Sequence, residues 1–257
     1  MKDIVVTLPQ EVTEIKILLL GDVHKGSREF NEELFLETIE TIRTTPNLYV
    51  ILMGDLIDNA LKTSKSDSYL ATERPQESMQ WIIDKLDKIK DKLLACTNGN
   101  HEDRTERDVG MDLTWWLAKS LGIEERYSNG PFILFVSMGK NQGRDGVYHT
   151  FSIYGTHGVS AGNVKGLQNM GGVVVNADVY VMGHSHKPVM FPEPRIVVDT
   201  ANKKHKIIDP LFINGASFLN FEGSYGEAKG YKPNSQRKVI INLKTGYATK
   251  STSLEMM

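Results

Sequence analysis

The sequence predicts an α/β protein whose first half builds a largely parallel sheet and whose second half adds antiparallel strands. Three observations carry that prediction. Compact apolar runs at 15–20, 49–53 and 93–97 each stop at a glycine or a polar turn, as strands buried on both faces do. Between them lie segments with apolar residues at helical spacing, the alternation expected of a parallel sheet. After Pro131 the apolar runs are instead separated by turn-rich stretches, as in hairpins.

Taken in order, strand 15–20 ends at Gly21 and a polar loop follows. Leu34, Phe35, Ile39 and Ile42 predict a helix over roughly 29–43, stopped before Pro46. Strand 49–53 runs into Gly54 and Asp55. The polar stretch 59–76 is the longest candidate loop, and its place after Asp58 makes it a candidate substrate-facing lid. Met79, Ile82, Ile83 and Leu86 line a second helix, and strand 93–97 runs into Gly99-Asn100-His101-Glu102. Val109, Leu113, Trp116, Leu117 and Leu121 predict one third helix ending near Gly122. Strands at 132–136 and 148–154 flank a turn at 139–146, and a glycine-spotted helical connection leads to strand 178–182. Residues 196–213 read as a hairpin around Asn202, and 238–243 as the last strand. No internal repeat or linker divides the chain, so one domain over 1–257 is expected.

Composition bounds the function. The chain is 40% apolar and 24% charged, with a net charge of −2, so no overall basic field draws it to nucleic acid or an anionic membrane. The single cysteine, Cys96, sits in an apolar run, so no intrachain disulfide framework exists and a reducing compartment fits. The N-terminal apolar run is too short for a signal peptide, and no later run approaches the ~20 apolar residues of a membrane span. The expectation is a cytoplasmic protein without membrane association; the sequence leaves its oligomeric state open.

Five loops carry ligand-type side chains, each just beyond a predicted strand end: Asp22-x-His24, Gly54-Asp55, Gly99-Asn100-His101-Glu102, Gly155-Thr156-His157-Gly158 and Gly183-His184-x-His186. They take up five of the seven histidines. Singly, Asp55 could be a helix cap and Asn100 a turn residue. Ligands of open α/β sheets bind where the loops beyond the carboxyl ends of the strands gather, so five such motifs point to one site. Carboxylate, imidazole and amide oxygen without thiolate suit Mn, Fe, Zn or Ni. Seven such side chains exceed one tetrahedral ion and suit two ions sharing a carboxylate, a clamp for displacement at phosphorus.

This ordered set resembles the calcineurin-like metallophosphoesterase superfamily from about residue 15 to 220. The resemblance implies a four-layer αββα double β-sandwich with a dinuclear metal site at the C-terminal strand ends, manganese being the first choice of metal. It implies one ion on Asp22, His24, Asp55 and His186, a second on Asp55, Asn100, His157 and His184, and Asp55 as the bridge. A metal-bridging hydroxide would be the nucleophile. His101 would be the general acid, with Asp58 pairing to it, while Asn100 and Arg104 would contact substrate, a phosphoester. A neighbouring carboxylate favours imidazolium, which makes that pairing physically sound. Asn59 stands where protein serine/threonine phosphatases of the superfamily carry arginine, which argues against that activity. Lys25 and Arg28 are further phosphate-binding candidates. Phe212-Ile213-Asn214-Gly215-Ala216-Ser217 resembles a strand that packs its backbone closely under the metal site. The leading expectation is a metal-dependent phosphatase or phosphodiesterase. A nuclease is the runner-up, though charge does not indicate a nucleic-acid partner, and a non-catalytic scaffold comes third because every ligand position is kept.

Overall fold

The computed structural model describes residues 1–64, 68–142, 147–158, 175–233 and 235–257. Two six-stranded sheets pack face to face. The first has the order β14-β13-β2-β3-β4-β5, in which β2 (Glu14–Leu20), β3 (Leu48–Leu52), β4 (Leu93–Thr97) and β5 (Tyr127–Ser128) are parallel, while β13 (Val239–Thr245) and β14 (Lys250–Met256) close one edge antiparallel. The second has the order β1-β6-β7-β8-β12-β9. There β6 (Phe132–Asn141) and β7 (Val147–Thr156) form the expected antiparallel pair, and β7, β8 (Val179–Met182) and β12 (Leu211–Asn214) run parallel. β1 (Lys2–Thr7) and β9 (Val189–Pro192) are the edges.

Alternation along the strands explains the layering. Ile15, Ile17 and Leu19 of β2 face the second sheet and join Ile4, Phe132, Leu134, Phe151, Val181 and Ile213 in the core between the sheets. Leu18 and Leu20 face the other way, onto α1 (Glu32–Thr44), α2 (Pro75–Leu86) and α4 (Leu113–Leu121) through Phe35, Ile42, Ile82 and Leu117. On the outer face of the second sheet, Tyr180 and Phe212 stack at 4.5 Å with Tyr154 and Met182 beside them. Most of the helical connection expected before β8, 159–174, lies outside the described residues, as does the tip of the β6–β7 turn at 143–146.

Several boundaries differ from the sequence reading. α1 begins at Glu32 because Asn31 caps it, its side-chain oxygen accepting from the Leu34 N–H at 3.0 Å. The expected third helix is two. α3 (Asp103–Val109) ends at Gly110, whose φ of 72° terminates it in the left-handed conformation, and Asp112 caps α4. Val109 and Trp116, read as core positions, are exposed. The 196–213 segment is also split: β10 (Arg195–Asp199) and β11 (Lys204–Ile208) form a separate two-stranded ribbon, while β12 belongs to the second sheet. Glycine explains the first miss, and the second follows from a register that pairs β12 with β8 rather than with β10.

Candidate metal centre

The loops after β2, β3 and β4 in one sheet and β7 and β8 in the other meet at the carboxyl ends of their strands. Backbone bonds lace them together. Asp22 N–H donates to Gly54 O, His24 N–H to Asp55 O and Gly183 N–H to His157 O, all at 3.0–3.1 Å. Gly99 is required by this closeness, since a Cβ there would lie 2.1 Å from the Asp55 nitrogen.

Eight non-glycine residues among those described have positive φ, and five of them are Asp22, His24, Asp55, His184 and His186. Asp, Asn and His tolerate this conformation best, yet it still costs about 1 kcal/mol or more per residue. Such concentration of strain in one place marks a site whose surroundings over-determine it.

The side chains converge in three groups: Asp22, His24 and His186; Asp55, His157 and His184; and His24, Asp58 and His101, the donor atoms within each group lying within 4.8 Å of one another. His24 Nε2 and His186 Nε2 face each other at 3.1 Å. His186 Nε2 is 3.4 Å from an Asp22 oxygen, and His24 Nε2 is 3.9 Å from Asp55 Oδ2. His157 donates from Nδ1 to Met53 O at 2.6 Å, which turns its Nε2 toward Asp55 Oδ2 at 3.2 Å and Asn100 Oδ1 at 3.1 Å. Asp22 accepts from the His184 N–H with both oxygens, at 3.1 and 2.9 Å. His184 Nδ1 is buried and has no hydrogen-bond partner among the described residues.

His101 stands beside these donors, its Nε2 3.9 Å from Asp55 Oδ2 and its ring centroid 4.4 Å from that of His24. Its Nδ1 donates to the carbonyl of Asp58 at 2.6 Å, and the Asp58 carboxylate lies 3.3 Å away. The backbone carbonyl is thus the nearer partner, and the carboxylate acts beside it. Asn59, buried and in the left-handed conformation, donates from Nδ2 to His101 O at 2.6 Å and to Thr105 at 2.9 Å. Its job here is to position His101. Arg104 donates to Asp58 O at 3.0 Å and, with Asn100 and Arg107, lines a polar cleft of about 360 Å³ that Thr63 and Ser64 also border.

Burial and the neighbouring carboxylates divide the histidines of the cluster. Burial pushes the His24 and His184 imidazoles to lower pKa, and His101 adds to the effect on His24. Burial opposes the charged form of His157, but the Asp55 carboxylate beside it dominates and lifts its pKa to about 10. Burial likewise opposes charge on Asp55, and His157 nevertheless holds it well below the usual carboxylate range. For His101 the same contest is won by the Asp58 carboxylate, which raises it.

Residues 15–188 match the calcineurin-like phosphoesterase family, two thirds of the chain. The chain belongs to that family. Membership supports a metal-dependent phosphoester hydrolase in general, with a phosphoester as substrate, and the histidine–aspartate groups of this calcineurin-like phosphoesterase support divalent metal binding. No curated protein matches it in sequence. Solved structures similar to it include a metallophosphoesterase from Sphaerobacter thermophilus, 12% identical with a TM-score of 0.42, covering 94% of this chain and 87% of that one. Vacuolar protein sorting 29 from Cryptosporidium parvum is 14% identical with a TM-score of 0.39, covering 95% and 98%. GAP50, the anchor in the inner membrane complex of Plasmodium, is 10% identical with a TM-score of 0.39, covering 94% and 84%. Among the described residues no helix is long and apolar enough to cross a membrane.

Two residues that the sequence shows only as parts of longer motifs support the site with their side chains. Glu102 is fully buried, and its carboxylate accepts from Asp55 N–H at 2.9 Å, Leu56 N–H at 2.6 Å and Ile57 N–H at 3.1 Å, fixing the loop that carries Asp55. Asn214 donates to Ser185 Oγ and to Lys187 O at 2.5 Å, fixing the Gly-His-x-His loop. This revises the expected role of the 212–217 strand: a Cβ on Gly215 would meet only ordinary contacts, so the amide of Asn214, and not close backbone packing, is what it contributes. Lys25 also departs from expectation. Its buried amine meets Glu73 at 2.6 Å and Glu32 at 3.4 Å over the Trp81 ring, so it ties the 72–74 segment to the first loop and does not reach for phosphate. Arg28 is exposed.

Proposed function

We propose that this chain is a dinuclear-metal phosphoester hydrolase, with residues 1–257 working as one domain in the cytoplasm. Asp22, His24, Asp55 and His186 hold one divalent ion; Asp55, Asn100, His157 and His184 hold the other; manganese is the first choice, with Fe, Zn or Ni as alternatives. The observation that carries the reading is the state of the donors themselves. Two imidazole nitrogens face each other at 3.1 Å, a third faces two oxygens, and a fourth imidazole keeps a buried nitrogen without a described partner. A buried set of acceptors left in this way fits cations better than any network of its own. When bound, two such ions supply positive charge to phosphate oxygens and lower the pKa of water toward neutrality.

The chain's own residues do the rest. His101 Nδ1 is committed to Asp58, which leaves Nε2 to face the site, and the Asp58 carboxylate favours the protonated ring that can give its proton to the departing oxygen. Asn59 and Arg104 keep the Asp58–His101 pair in register. Asn100 and Arg104, joined by Arg107, line the polar cleft and orient the ester there. The lone buried Cys96 supports a reducing compartment.

The test is hydrolysis of a phosphomonoester and a phosphodiester by manganese-loaded protein, beside chelated protein and the Asp55→Asn and His101→Ala variants. Asp55→Asn is expected to lose metal and turnover together. His101→Ala is expected to keep metal and lose about 10²- to 10⁴-fold in kcat. A His101→Ala variant with wild-type kcat would remove the acid role, and failure of the wild type to bind manganese, iron, zinc or nickel would end the dinuclear reading.

A further inference from the structure

Beside the metal centre lies a second cleft, of about 470 Å³, that is unlike the polar one. His186 and Lys187 line it from the loop after β8, and Leu219, Phe221, Tyr231 and Lys232 form the wall that the chain after β12 contributes. The two clefts share no lining residue: the polar one takes Asn100, Arg104 and Arg107, and the other opens from His186. Two rings, a leucine and two lysines make it apolar and cationic together. Glu29 lines it as well, so its charged side chains sum to a small positive value.

The wall is built by the backbone. Asn220 N–H donates to Glu29 O at 2.7 Å, Tyr231 N–H to Gly226 O at 2.8 Å, and Gln236 Nε2 to Leu219 O at 2.6 Å. Phe30 and Leu219 form an antiparallel bridge. A cleft fixed in this manner is formed before substrate arrives, which is how small-molecule sites are usually made.

The position of the acid decides what each cleft receives. Resting on the hydrolase reading above, His101 protonates the leaving oxygen, and His101 shares the Asp58 carbonyl with Arg104, which lines the polar cleft with Asn100, the neighbour of His101 in the chain. The departing group therefore leaves on that side. A monoester has no other organic group to place, so the aromatic cleft at His186 would have no occupant. We infer that the substrate is a phosphodiester whose retained group is a nucleoside, its flat base lying against Phe221 and Tyr231 and its phosphate carrying the one charge that Lys187 and Lys232 neutralise. The reaction adds water across the P–O bond to the leaving group. It yields a free hydroxyl, which takes its proton from His101, and a nucleoside monophosphate.

The test varies the retained side alone. Thymidine 5′-(p-nitrophenyl phosphate), methyl p-nitrophenyl phosphate and the monoester p-nitrophenyl phosphate share one chromogenic leaving group. The expected result is a kcat/KM for the thymidine ester at least about tenfold above that for the methyl ester, the range of one base–aromatic stack. Phe221→Ala and Tyr231→Ala should each shrink that ratio. Binding of thymidine 5′-monophosphate to chelated protein, read by calorimetry, should weaken in the same variants. Equal rates for the thymidine and methyl esters, preference for the monoester, or thymidine monophosphate binding untouched in both variants would each overturn the inference. Nucleotide binding that depends on Phe221 in a wild type that cleaves none of the three esters would support the pocket and overturn the hydrolase reading instead.

Discussion

On the first sheet, the loop carrying Asp55 is held by a buried carboxylate that accepts three backbone N–H groups with both of its oxygens. On the second, the loop carrying His184 and His186 has one backbone N–H, that of His184, on a carboxylate, Asp22, and is otherwise held by the neutral Asn214, which uses only its NH₂; the Asn214 Oδ1 is buried without a described partner. Hydrogen bonds to a charged acceptor are worth about 1.5–3 kcal/mol and neutral ones about 1. The first half of the centre is therefore clamped, and the second, which also borders the aromatic cleft, is held more loosely. In the reading proposed above, rigidity sits where Asp55 would bridge the ions, and adjustability beside the aromatic cleft.

The largest effect expected from this contrast is that of Glu102→Gln. The replacement presents one oxygen where two accepted, and turns an NH₂ toward a backbone N–H. Denaturant unfolding of the chelated variant should show a loss of about 3 kcal/mol, and manganese titration a 10- to 100-fold loss of affinity. Wild-type values in both would mean that the 55–57 loop is held by something other than Glu102. Asn214→Ala should do less: about 1 kcal/mol in unfolding and no more than about tenfold in manganese affinity. If it costs as much as Glu102→Gln, the two halves are equally clamped and the contrast fails.

The same contrast explains what the sequence made legible. Asp22, His24, Asp55, Asn100, His157, His184 and His186 stood out because metal-ligating types at successive strand ends are uncommon, and the structure brings all seven together. The roles of Glu102 and Asn214 did not, because they are ordinary polar residues within longer motifs, and the partners they hold lie 27 to 47 positions away. Sheet edges were hidden for another reason. β14 shows no buried side chain in its pattern, and β1 buries only Ile4 and Val6, so neither carries a period that apolar residues alone reveal. The break between α3 and α4 was written in Gly110 and Asp112, but the helical spacing of Val109, Leu113 and Leu117 ran across it.

A last effect, read only as a pH slope, arises where the two halves meet. Lys238, at the head of β13, is buried, donates to Ser217 O at 2.9 Å and lies 3.5 Å above the Phe218 ring; Phe218 N–H in turn donates to Asp22 O at 3.0 Å. Burial lowers the Lys238 pKa to about 7, the Asp22 charge opposing only in part. Between about pH 7 and the ordinary lysine value near 10.4, the unfolded chain holds this proton and the folded one does not, so this group makes stability rise with pH, by at most about 1.4 kcal/mol per unit. His157 acts in the opposite sense. Its folded pKa of about 10 lies above the unfolded value, so its contribution, complete below about pH 6.5, is lost as pH rises toward 10. The two slopes oppose each other in the chelated wild type, and only a difference isolates Lys238. Unfolding of Lys238→Met against wild type, both chelated, should show the variant losing relative stability steadily from pH 7 to 10. A difference that stays flat across that window would mean that Lys238 keeps its proton in the folded state, and that the carboxylate of Asp22 reaches the lysine more strongly than the bond through Phe218 implies.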